Sequence, residues 1–279
     1  MKNYTLTNGV EIPAIGFGTW QTPDGDVAKA SVLKALDVGY RHIDTATIYG
    51  NEQSVGDAIV ESGIDRNDLF ITTKLWNDMR HYDEVMTAID ASLEKLQIDV
   101  IDLYLVHWPN PVAYRDDWKG INSETWRAIE DAYDQGKLRA IGVSNFHQHH
   151  LEALYETARI KPMVNQIYLN PSDMQAELVA YNTDHGMLTE AYSPLGTGNL
   201  FEVPELIAIA KQYNRSVAQV TLRWSLQHGF LPLPKSVTPS RIEENFQIHD
   251  FELSNEDMAR IDALHGVAGT APDPDTKNY

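Results

Sequence analysis

The sequence of 279 residues predicts an α/β fold, a (β/α)8 TIM barrel preceded by an N-terminal β-hairpin. Short apolar strands alternate with amphipathic helical segments along the chain, which is the pattern of βαβ units in a parallel sheet. We count eight such strands, the number that closes a barrel, and see no linker between them. We therefore predict a single domain over 1–279. An open doubly wound sheet is the alternative.

The first half of the chain supplies the hairpin and four strands. Residues 4–12 alternate in polarity around Asn8 and Gly9, a pair that favours a type I′ turn. A strand of small residues over 14–20 leads to a helix that Asp24 or Asp26 can cap and that Gly39 ends. The remaining segments of this half are strands over 42–45, 69–74 and 101–107, a helix after the loop that follows the first of these strands, and helices near 85–96 and 123–135.

The second half continues the alternation. Strands are predicted over 138–143, 163–167, 188–192 and 231–235, and helices near 148–157, 173–183, 204–213 and 217–227. Ser216 with Gln219, and Ser240 with Glu243, have the spacing of capping boxes. Pro232 and Pro234 each lack a donor in the last strand, but their spacing of two leaves one side able to pair. The tail over 266–279 is loop-like.

The composition of the chain limits the kinds of molecule that the protein is expected to bind. A net charge of −18 and a pI near 4.8 disfavour binding to nucleic acid or to an anionic membrane surface. The chain contains no cysteine, which excludes disulfides, thiol nucleophiles and thiolate-bound metals. No apolar run is long enough to span a bilayer, and the N-terminus lacks a signal-peptide core. We expect a cytoplasmic monomer that acts on a small molecule.

Four reactive side chains fall at or just beyond strand ends. Asp44, Lys74 and His107 end three consecutive strands, and Tyr49 follows Asp44 in a loop. In a parallel barrel such positions converge on one face, where active sites are built. A phenol with a pKa of about 10 becomes a useful acid when a nearby cation stabilises its phenolate. The alternative is that Asp44 and Lys74 form a structural ion pair and His107 is a core residue.

Six segments in order along the chain resemble the aldo-keto reductase family, and in particular its short bacterial members of the 2,5-diketo-gluconate reductase type. The resemblance as a whole extends over about residues 16–245 and therefore covers most of the chain. They are Gly39 to Glu52, Thr73-Lys74-Leu75-Trp76-Asn77, His107-Trp108-Pro109, Gly142-Val143-Ser144-Asn145-Phe146, Tyr192-Ser193-Pro194-Leu195-Gly196 and Lys235-Ser236.

The resemblance implies roles for the strand-end residues. Tyr49 would donate a proton to a substrate carbonyl, and Lys74 would lower the pKa of that phenol. Asp44 would hold Lys74, while His107 would orient the carbonyl. The implied activity is NADPH-dependent reduction of aldehydes and ketones, with reverse oxidation by NADP+ possible in principle.

The resemblance also implies a cofactor site along the barrel mouth. Tyr192 would stack on the nicotinamide, and Ser144, Asn145 and Gln166 would hold its carboxamide. Ser193, Leu195 and Thr197 would meet the pyrophosphate, and Asp44 would lie beside the cofactor. The remaining implied cofactor residues are Gly18, Thr19, Lys235, Ser236, Val237, Thr238, Arg241, Glu244 and Asn245.

Two features of that site follow from the residues themselves. The dinucleotide-binding fingerprint is not matched by Gly16-Phe17-Gly18 or by Gly196-Thr197-Gly198. We therefore predict that the small residues of the first strand instead allow a ligand to approach the strand closely. Lys235 and Arg241, near the start of a helix, suit a phosphate dianion. The resemblance identifies this dianion as the adenosine 2′-phosphate of NADPH; a solvated surface helix is the alternative.

The predicted substrate pocket is largely apolar. Trp20, Trp76 and Trp108 each follow a strand-end motif and are predicted to wall it, with Tyr49 and His107 at its polar end. Core aromatics are the alternative for the tryptophans. His147, His149 and His150 form a histidine-rich stretch, but we identify no carboxylate or cysteine that would complete a ligand set with them, so we predict no metal site.

Two rival functions are alternatives to a carbonyl reductase. The same fold serves as a non-catalytic, nucleotide-binding β subunit of potassium channels, which loss of the four strand-end residues or a long N-terminal extension would favour. An unrelated barrel lyase or isomerase would leave Tyr49 and the basic pocket unexplained.

Overall fold

The computed structural model describes residues 2–278, so Met1 and Tyr279 of the predicted 1–279 domain lie outside the described residues. In that range β1 (Asn3–Thr5) and β2 (Glu11–Pro13) pair antiparallel as the N-terminal hairpin. Eight further strands form one parallel sheet in chain order. They are β3 (Phe17–Gly18), β4 (His42–Asp44), β5 (Phe70–Leu75), β6 (Ile101–Val106), β7 (Leu138–Ser144), β8 (Val164–Tyr168), β9 (Leu188–Tyr192) and β10 (Leu231–Pro232).

The hairpin turn differs from the predicted type I′ turn. Gly9 has a φ of 84°, whereas Asn8 is not among the residues of the described range with positive φ. The Gly9 amide donates to the Leu6 carbonyl at 2.8 Å, and the Leu6 amide donates to Val10 at 2.9 Å. A type I turn followed by a left-handed glycine therefore connects the strands, because only one residue of the Asn-Gly pair is left-handed.

The first and last strands of the sheet meet and close the barrel. The amides of Gly16 and Gly18 donate to the carbonyls of Pro232 and Pro234 at 3.1 and 3.0 Å. Leu233, between the prolines, donates in the opposite direction to the carbonyl of Ala191 in β9 at 3.0 Å. The two missing proline donors thus share the side of the strand that faces β3, where the proline carbonyls accept hydrogen bonds. The (β/α)8 prediction is confirmed, and the open sheet is excluded.

Small residues before and in β3 are required by this closure. A Cβ added to Gly16 would lie 2.5 Å from Leu233 Cδ2 and 2.7 Å from His42 Nδ1. At Gly18 it would lie 3.2 Å from the Leu233 carbonyl oxygen. Contacts that short force neighbouring atoms to move in a close-packed interior. The glycines therefore serve strand packing, where the sequence had suggested close approach to a ligand.

Helices cover the outside of the barrel and continue the chain to its tail. A short 3-10 turn, Thr47–Tyr49, follows β4, and another, Val112–Asp117, follows β6. The α-helices of the described residues are α1 (Asp26–Val38), α2 (Glu52–Ser62), α3 (Tyr82–Leu96), α4 (Trp118–Asp134), α5 (Gln148–Tyr155), α6 (Ala176–Asp184), α7 (Pro204–Gln212), α8 (Val217–Gln227), α9 (Pro239–Phe246) and α10 (Asn255–Asp262).

Helix caps explain where two of the helices begin. α8 has the predicted capping box of Ser216 and Gln219. The box predicted from Ser240 and Glu243 is wrong, because Thr238 precedes α9 and Pro239 takes its first turn. α4 begins before the predicted residue 123, since the Asp117 side chain accepts from the Gly120 amide.

Two other termini also differ. α1 follows Gly25 without a side-chain cap, so neither predicted aspartate caps it, and Asp26 lies in its first turn. α10 was not predicted at all, although Ser254 caps it by accepting from the Asp257 amide.

The core lies inside the barrel and between the barrel and its helices. Every residue of β5 and β6 is buried, which is expected for strands covered on both faces. Because such a sheet is rigid, side chains at its carboxyl edge are held in defined positions. Among residues 2–278 no helix is long and apolar enough to cross a membrane.

Candidate active site

The four predicted catalytic residues come together at the carboxyl end of the barrel. Asp44 ends β4, Lys74 lies near the end of β5, and His107 follows β6 directly. Tyr49 ends the 3-10 turn that follows β4. The hydroxyl of Thr47 in that turn donates to the Lys74 carbonyl at 3.0 Å. This bond fastens the turn that carries Tyr49 to the edge of β5.

Lys74 is the centre of the cluster. Its side chain is fully buried, and Nζ donates to both carboxylate oxygens of Asp44 at 2.7 and 2.8 Å and to the Thr45 carbonyl at 2.9 Å. Burial alone would lower the pKa of Lys74, but Asp44 and Tyr49 outweigh burial and raise the pKa above its ordinary value. The ammonium therefore keeps its charge at neutral pH.

The Tyr49 phenol lies next to that ammonium. Lys74 Nζ is 3.4 Å from the Tyr49 hydroxyl and 5.1 Å from the centre of its ring. Burial raises the pKa of Tyr49, the Lys74 charge lowers it, and the net pKa lies above its ordinary value. The phenol is thus protonated at neutral pH, and the cation that would stabilise its phenolate is in contact with it.

His107 faces Tyr49 from the end of β6, which β5 separates from β4. The two ring centres are 5.8 Å apart, in an edge-to-face arrangement. Burial and the Lys74 charge hold the pKa of His107 well below its usual range, so the imidazole is neutral at neutral pH. Asn145 Nδ2 donates to the His107 carbonyl at 3.0 Å and fixes the backbone there. A neutral imidazole beside a phenol can hydrogen-bond a carbonyl oxygen without adding charge.

The three tryptophans have different surroundings. The Trp76 ring is 5.2 Å from the His107 ring and edge-on to it. Trp108 stacks at 6.5 Å from the same imidazole and is 7 % exposed, whereas Trp20 is 46 % exposed. Trp76 and Trp108 therefore flank the polar end of the site, and Trp20 stands out toward solvent at the end of β3.

Polar groups on β7, β8 and β9 form a second row beside the cluster. Asn145 donates to the Ser144 hydroxyl at 3.1 Å and accepts from the Tyr192 hydroxyl at 2.8 Å. Ser144 in turn donates to the Gln166 carbonyl at 2.8 Å, and Gln166 Nε2 donates to Asp44 Oδ2 at 2.9 Å. Four predicted cofactor residues thus form one network that ends at Asp44.

Glu190 belongs to this network, and sequence reasoning missed it. Its Oε2 accepts from Gln166 Nε2 at 2.8 Å, and its Oε1 is buried without a hydrogen-bond partner among the described residues. Burial and the Asp44 charge raise the pKa of Glu190 to about 8. A signal was present, because Glu190 lies two residues before Tyr192 and therefore on the same side of β9.

Asn51 is a second residue that was missed. It is fully buried, accepts from the Thr45 hydroxyl at 2.7 Å and donates to the carbonyls of Thr19 and Thr22 at 3.1 and 3.2 Å. It joins the ends of β3 and β4. Gly18 and Thr19 are buried at this junction, and the Thr19 hydroxyl donates to the Asp44 carbonyl at 2.9 Å.

The loops beside this row have an unusual backbone. Asn145, Ser193 and Thr197 have φ values of 61°, 48° and 52°, in the left-handed region that non-glycine residues rarely adopt. Thr197 is exposed, and Ser193 and Leu195 are half-buried. Such strained positions are commonly held where backbone groups must face a ligand.

A basic region lies beyond β10 at the start of α9. Burial lowers the pKa of Lys235, and Arg241 is exposed. Neither forms an ion pair with a carboxylate of residues 2–278. Ser236 and Asn245 are buried, Glu244 is half-buried, and Val237 and Thr238 are exposed. Two cations without a carboxylate partner beside a helix N-terminus suit a phosphate group.

The tail brings a carboxylate, Asp275, to the histidine-rich stretch, where the sequence had suggested none. Asp275 Oδ2 is 3.1 Å from His149 Nε2, and Oδ1 is 3.0 Å from His150 Nε2. The sequence could not show this contact, since the partners lie far apart in the chain.

A phenol held against a buried lysine–aspartate pair at the carboxyl end of a barrel can deliver a proton to a bound substrate, which is the chemistry of an enzyme. The model of the Aldo/keto reductase family matches residues 14–265 of the chain. The chain therefore belongs to the aldo/keto reductase family, as its motifs indicated, and it is an oxidoreductase that reduces carbonyl groups.

Individual relatives support this membership over nearly the full length. The glyoxal reductase of Bacillus subtilis (strain 168) is 50 % identical over 270 residues, which are 97 % of this chain and 95 % of that protein. The methylglyoxal reductase DkgA of Yersinia pestis is 44 % identical over 272 residues, with coverage of 97 % and 95 %.

Solved structures agree. The aldo/keto reductase of Brucella melitensis has a TM-score of 0.89 at 47 % identity and covers 94 % of this chain and 99 % of its own. The Bombyx mori aldo-keto reductase in complex with NADP has a TM-score of 0.87 at 35 % identity, with coverage of 95 % and 93 %.

Proposed function

We propose that the protein is an NADPH-dependent reductase of small aldehydes and ketones, with Tyr49 as its general acid. The observation that carries the proposal is the contact of the Tyr49 phenol with the buried Lys74 ammonium, 3.4 Å away, opposite a neutral His107. Reduction of a carbonyl to an alcohol needs one hydride on carbon and one proton on oxygen. Tyr49 is the proton donor in this cluster that a neighbouring cation supports.

Each residue of the cluster has a distinct part in the proton transfer. Tyr49 gives its proton to the carbonyl oxygen, and the Lys74 charge stabilises the phenolate that remains. Asp44 keeps Lys74 oriented through two hydrogen bonds. His107 positions the carbonyl oxygen with a ring N–H and carries no charge that would compete for the phenolate.

The cofactor-binding part of the proposal is supported by this chain's own groups. Asn145 and Gln166 offer amide groups for a carboxamide, and Tyr192 offers a ring for stacking. The pyrophosphate would lie against the backbone of the strained loop that contains Ser193, Leu195 and Thr197. Lys235, Ser236, Val237, Thr238, Arg241, Glu244 and Asn245 would hold the adenosine end, with the two cations at the 2′-phosphate. When bound, NADPH supplies the hydride.

The proposed substrates are small α-dicarbonyls and simple or aromatic aldehydes. The relatives include a glyoxal reductase and a methylglyoxal reductase, both named for small dicarbonyls. Trp76 and Trp108 beside His107 make an apolar wall next to the polar end of the site. Trp20, which is half-exposed, would touch only substrates large enough to reach the rim.

The rival role as a channel-associated regulatory subunit is less well supported. A nucleotide-binding subunit without chemistry has no need of a buried Lys74–Asp44 pair in contact with Tyr49, and burying such a pair is costly. We expect the enzyme to act as a single-domain monomer in the cytoplasm, where NADPH is available.

Substitution of Tyr49 by phenylalanine tests the proposal. We expect a loss of about 10²–10⁴ or more in kcat with dicarbonyl or aldehyde substrates, because the general acid is removed. NADPH binding, followed by tryptophan fluorescence, should change little. Tyr181→Phe on the outer helix α6 is the matched control and should keep full activity. Substantial turnover by the Tyr49 variant would remove this residue from the mechanism.

A further inference from the structure

We propose that the C-terminal tail and the start of α5 form a binding site for one divalent transition metal ion, with Zn²⁺ as the probe. The ligands are ring nitrogens of His147 and His149 and a carboxylate oxygen of Asp275. The proposal is independent of the reductase activity. It rests on three side chains, each with a ligand atom, that the fold brings together from two distant segments.

The spacing of the ligand atoms fits a metal after small side-chain rotations. All three atoms lie within 4.8 Å of one another, and His149 Nε2 is 3.1 Å from Asp275 Oδ2. Zinc binds nitrogen and oxygen at about 2.0–2.2 Å, so tetrahedral ligand atoms lie roughly 3.3–3.6 Å apart. Two imidazoles and one carboxylate are a common ligand set for borderline metals, with water filling the open position.

Outer contacts hold the carboxylate in place. Asp275 Oδ1 accepts from Asn110 Nδ2 at 2.9 Å and from His150 Nε2 at 3.0 Å. His150 Nδ1 accepts from the His147 amide at 3.2 Å, so the proton of this imidazole is on Nε2, facing Asp275. Oδ2 is thereby left for the metal. Ligating carboxylates are typically oriented by such hydrogen bonds.

The rest of the chain favours a cation here. The net charge is −18, so the protein as a whole attracts divalent cations. There is no cysteine to compete for zinc, so histidine and carboxylate ligands are the strongest available. Asp275 lies on the tail and the two histidines on and beside α5, so a bound ion would join two segments.

The metal would fasten the tail over the mouth of the barrel. The tail runs from Gly266, whose amide donates to the Ser172 carbonyl at 2.8 Å, past Ala271, whose amide donates to Asp173 Oδ2 at 2.8 Å. Ser172 and Asp173 follow β8, and α5 follows β7. The ion therefore sits at the same end of the barrel as Tyr49, and we expect it to slow motion of the tail.

Isothermal titration of untagged protein with ZnCl₂ at pH 7.5, in a buffer that does not bind metal, tests the site. We expect one equivalent of Zn²⁺ to bind with a micromolar dissociation constant. His149→Gln and Asp275→Asn should each weaken binding tenfold or more. His185→Gln, which alters an exposed histidine bonded to Tyr181 on α6, is the matched control and should leave binding unchanged.

Hydrogen exchange gives a readout that does not depend on activity. Zn²⁺ should slow exchange of amides in residues 266–278 of the native protein, and this protection should be absent in His149→Gln. No binding at 100 µM Zn²⁺ would overturn the proposal. Binding that both variants retain would overturn it equally, since the ion would then sit elsewhere.

Discussion

Replacing Glu190 with glutamine should stabilise the protein at alkaline pH. The Glu190 carboxyl is fully buried, one of its oxygens has no hydrogen-bond partner among the described residues, and its pKa is raised to about 8. In the unfolded chain an ordinary glutamate titrates near 4.5. Between these values the folded protein binds more protons than the unfolded one. The free energy of unfolding must therefore fall as pH rises through this window.

The magnitude follows from the size of the window. Each pH unit at which the two states differ by one proton changes the free energy of unfolding by about 1.36 kcal/mol. From pH 5.5 to pH 8 this amounts to about 3 kcal/mol lost from the native protein. The amide of glutamine has nearly the same shape but does not titrate, so Glu190→Gln should avoid this loss.

Urea unfolding of both proteins between pH 5.5 and 8.5 measures the effect. The stability of the variant relative to the native protein should rise by roughly 3 kcal/mol over this range. Glu256→Gln is the control, because it removes one negative charge from a side chain that is exposed on α10 rather than buried. A difference that stays constant with pH would show that Glu190 is ionised in the folded protein, and the reasoning from its burial would be wrong.

Three further predictions concern the cofactor, the tail and the barrel wall. Arg241→Ala should weaken NADPH tenfold or more while NADH changes little, because a charge-assisted contact is worth about 1.5–3 kcal/mol; equal weakening in fluorescence titrations would place the phosphate elsewhere. Removing the chain from Ala271 onward should raise KM for bulky aldehydes more than it changes kcat for the smallest one, and an unchanged KM across the series would separate the tail from the site. Gly142→Ala should destabilise the fold by about 1–3 kcal/mol in thermal unfolding, because the added Cβ would lie 2.6 Å from the Val164 carbonyl oxygen and push β7 away from β8. An unaltered Tm would mean that β7 and β8 can move apart at no cost in stability.

The sequence by itself determined the barrel and the place of its chemistry. The strands and the helices between them appear as local patterns in the sequence. Because the carboxyl ends of parallel strands lie at the same edge of the barrel, residues at successive strand ends can be predicted to lie close together. Asp44, Lys74 and His107 could be assigned to one face because each ends a strand. The spacing of Pro232 and Pro234 also indicated that both missing donors share one side of the last strand, although the structure pairs the strand on both sides because the proline carbonyls still accept from Gly16 and Gly18.

Only the tertiary structure decided the protonation and partners of individual groups. The pKa of Glu190 depends on burial and on its distance from Asp44, and neither is encoded in a local pattern. The contact of Asp275 with His149 joins segments that are remote in the chain, so the sequence around the histidines could not show that a carboxylate lies against them. Gly16 likewise could not be assigned to barrel closure until Leu233 was placed against it, because close packing is a property of the assembled interior.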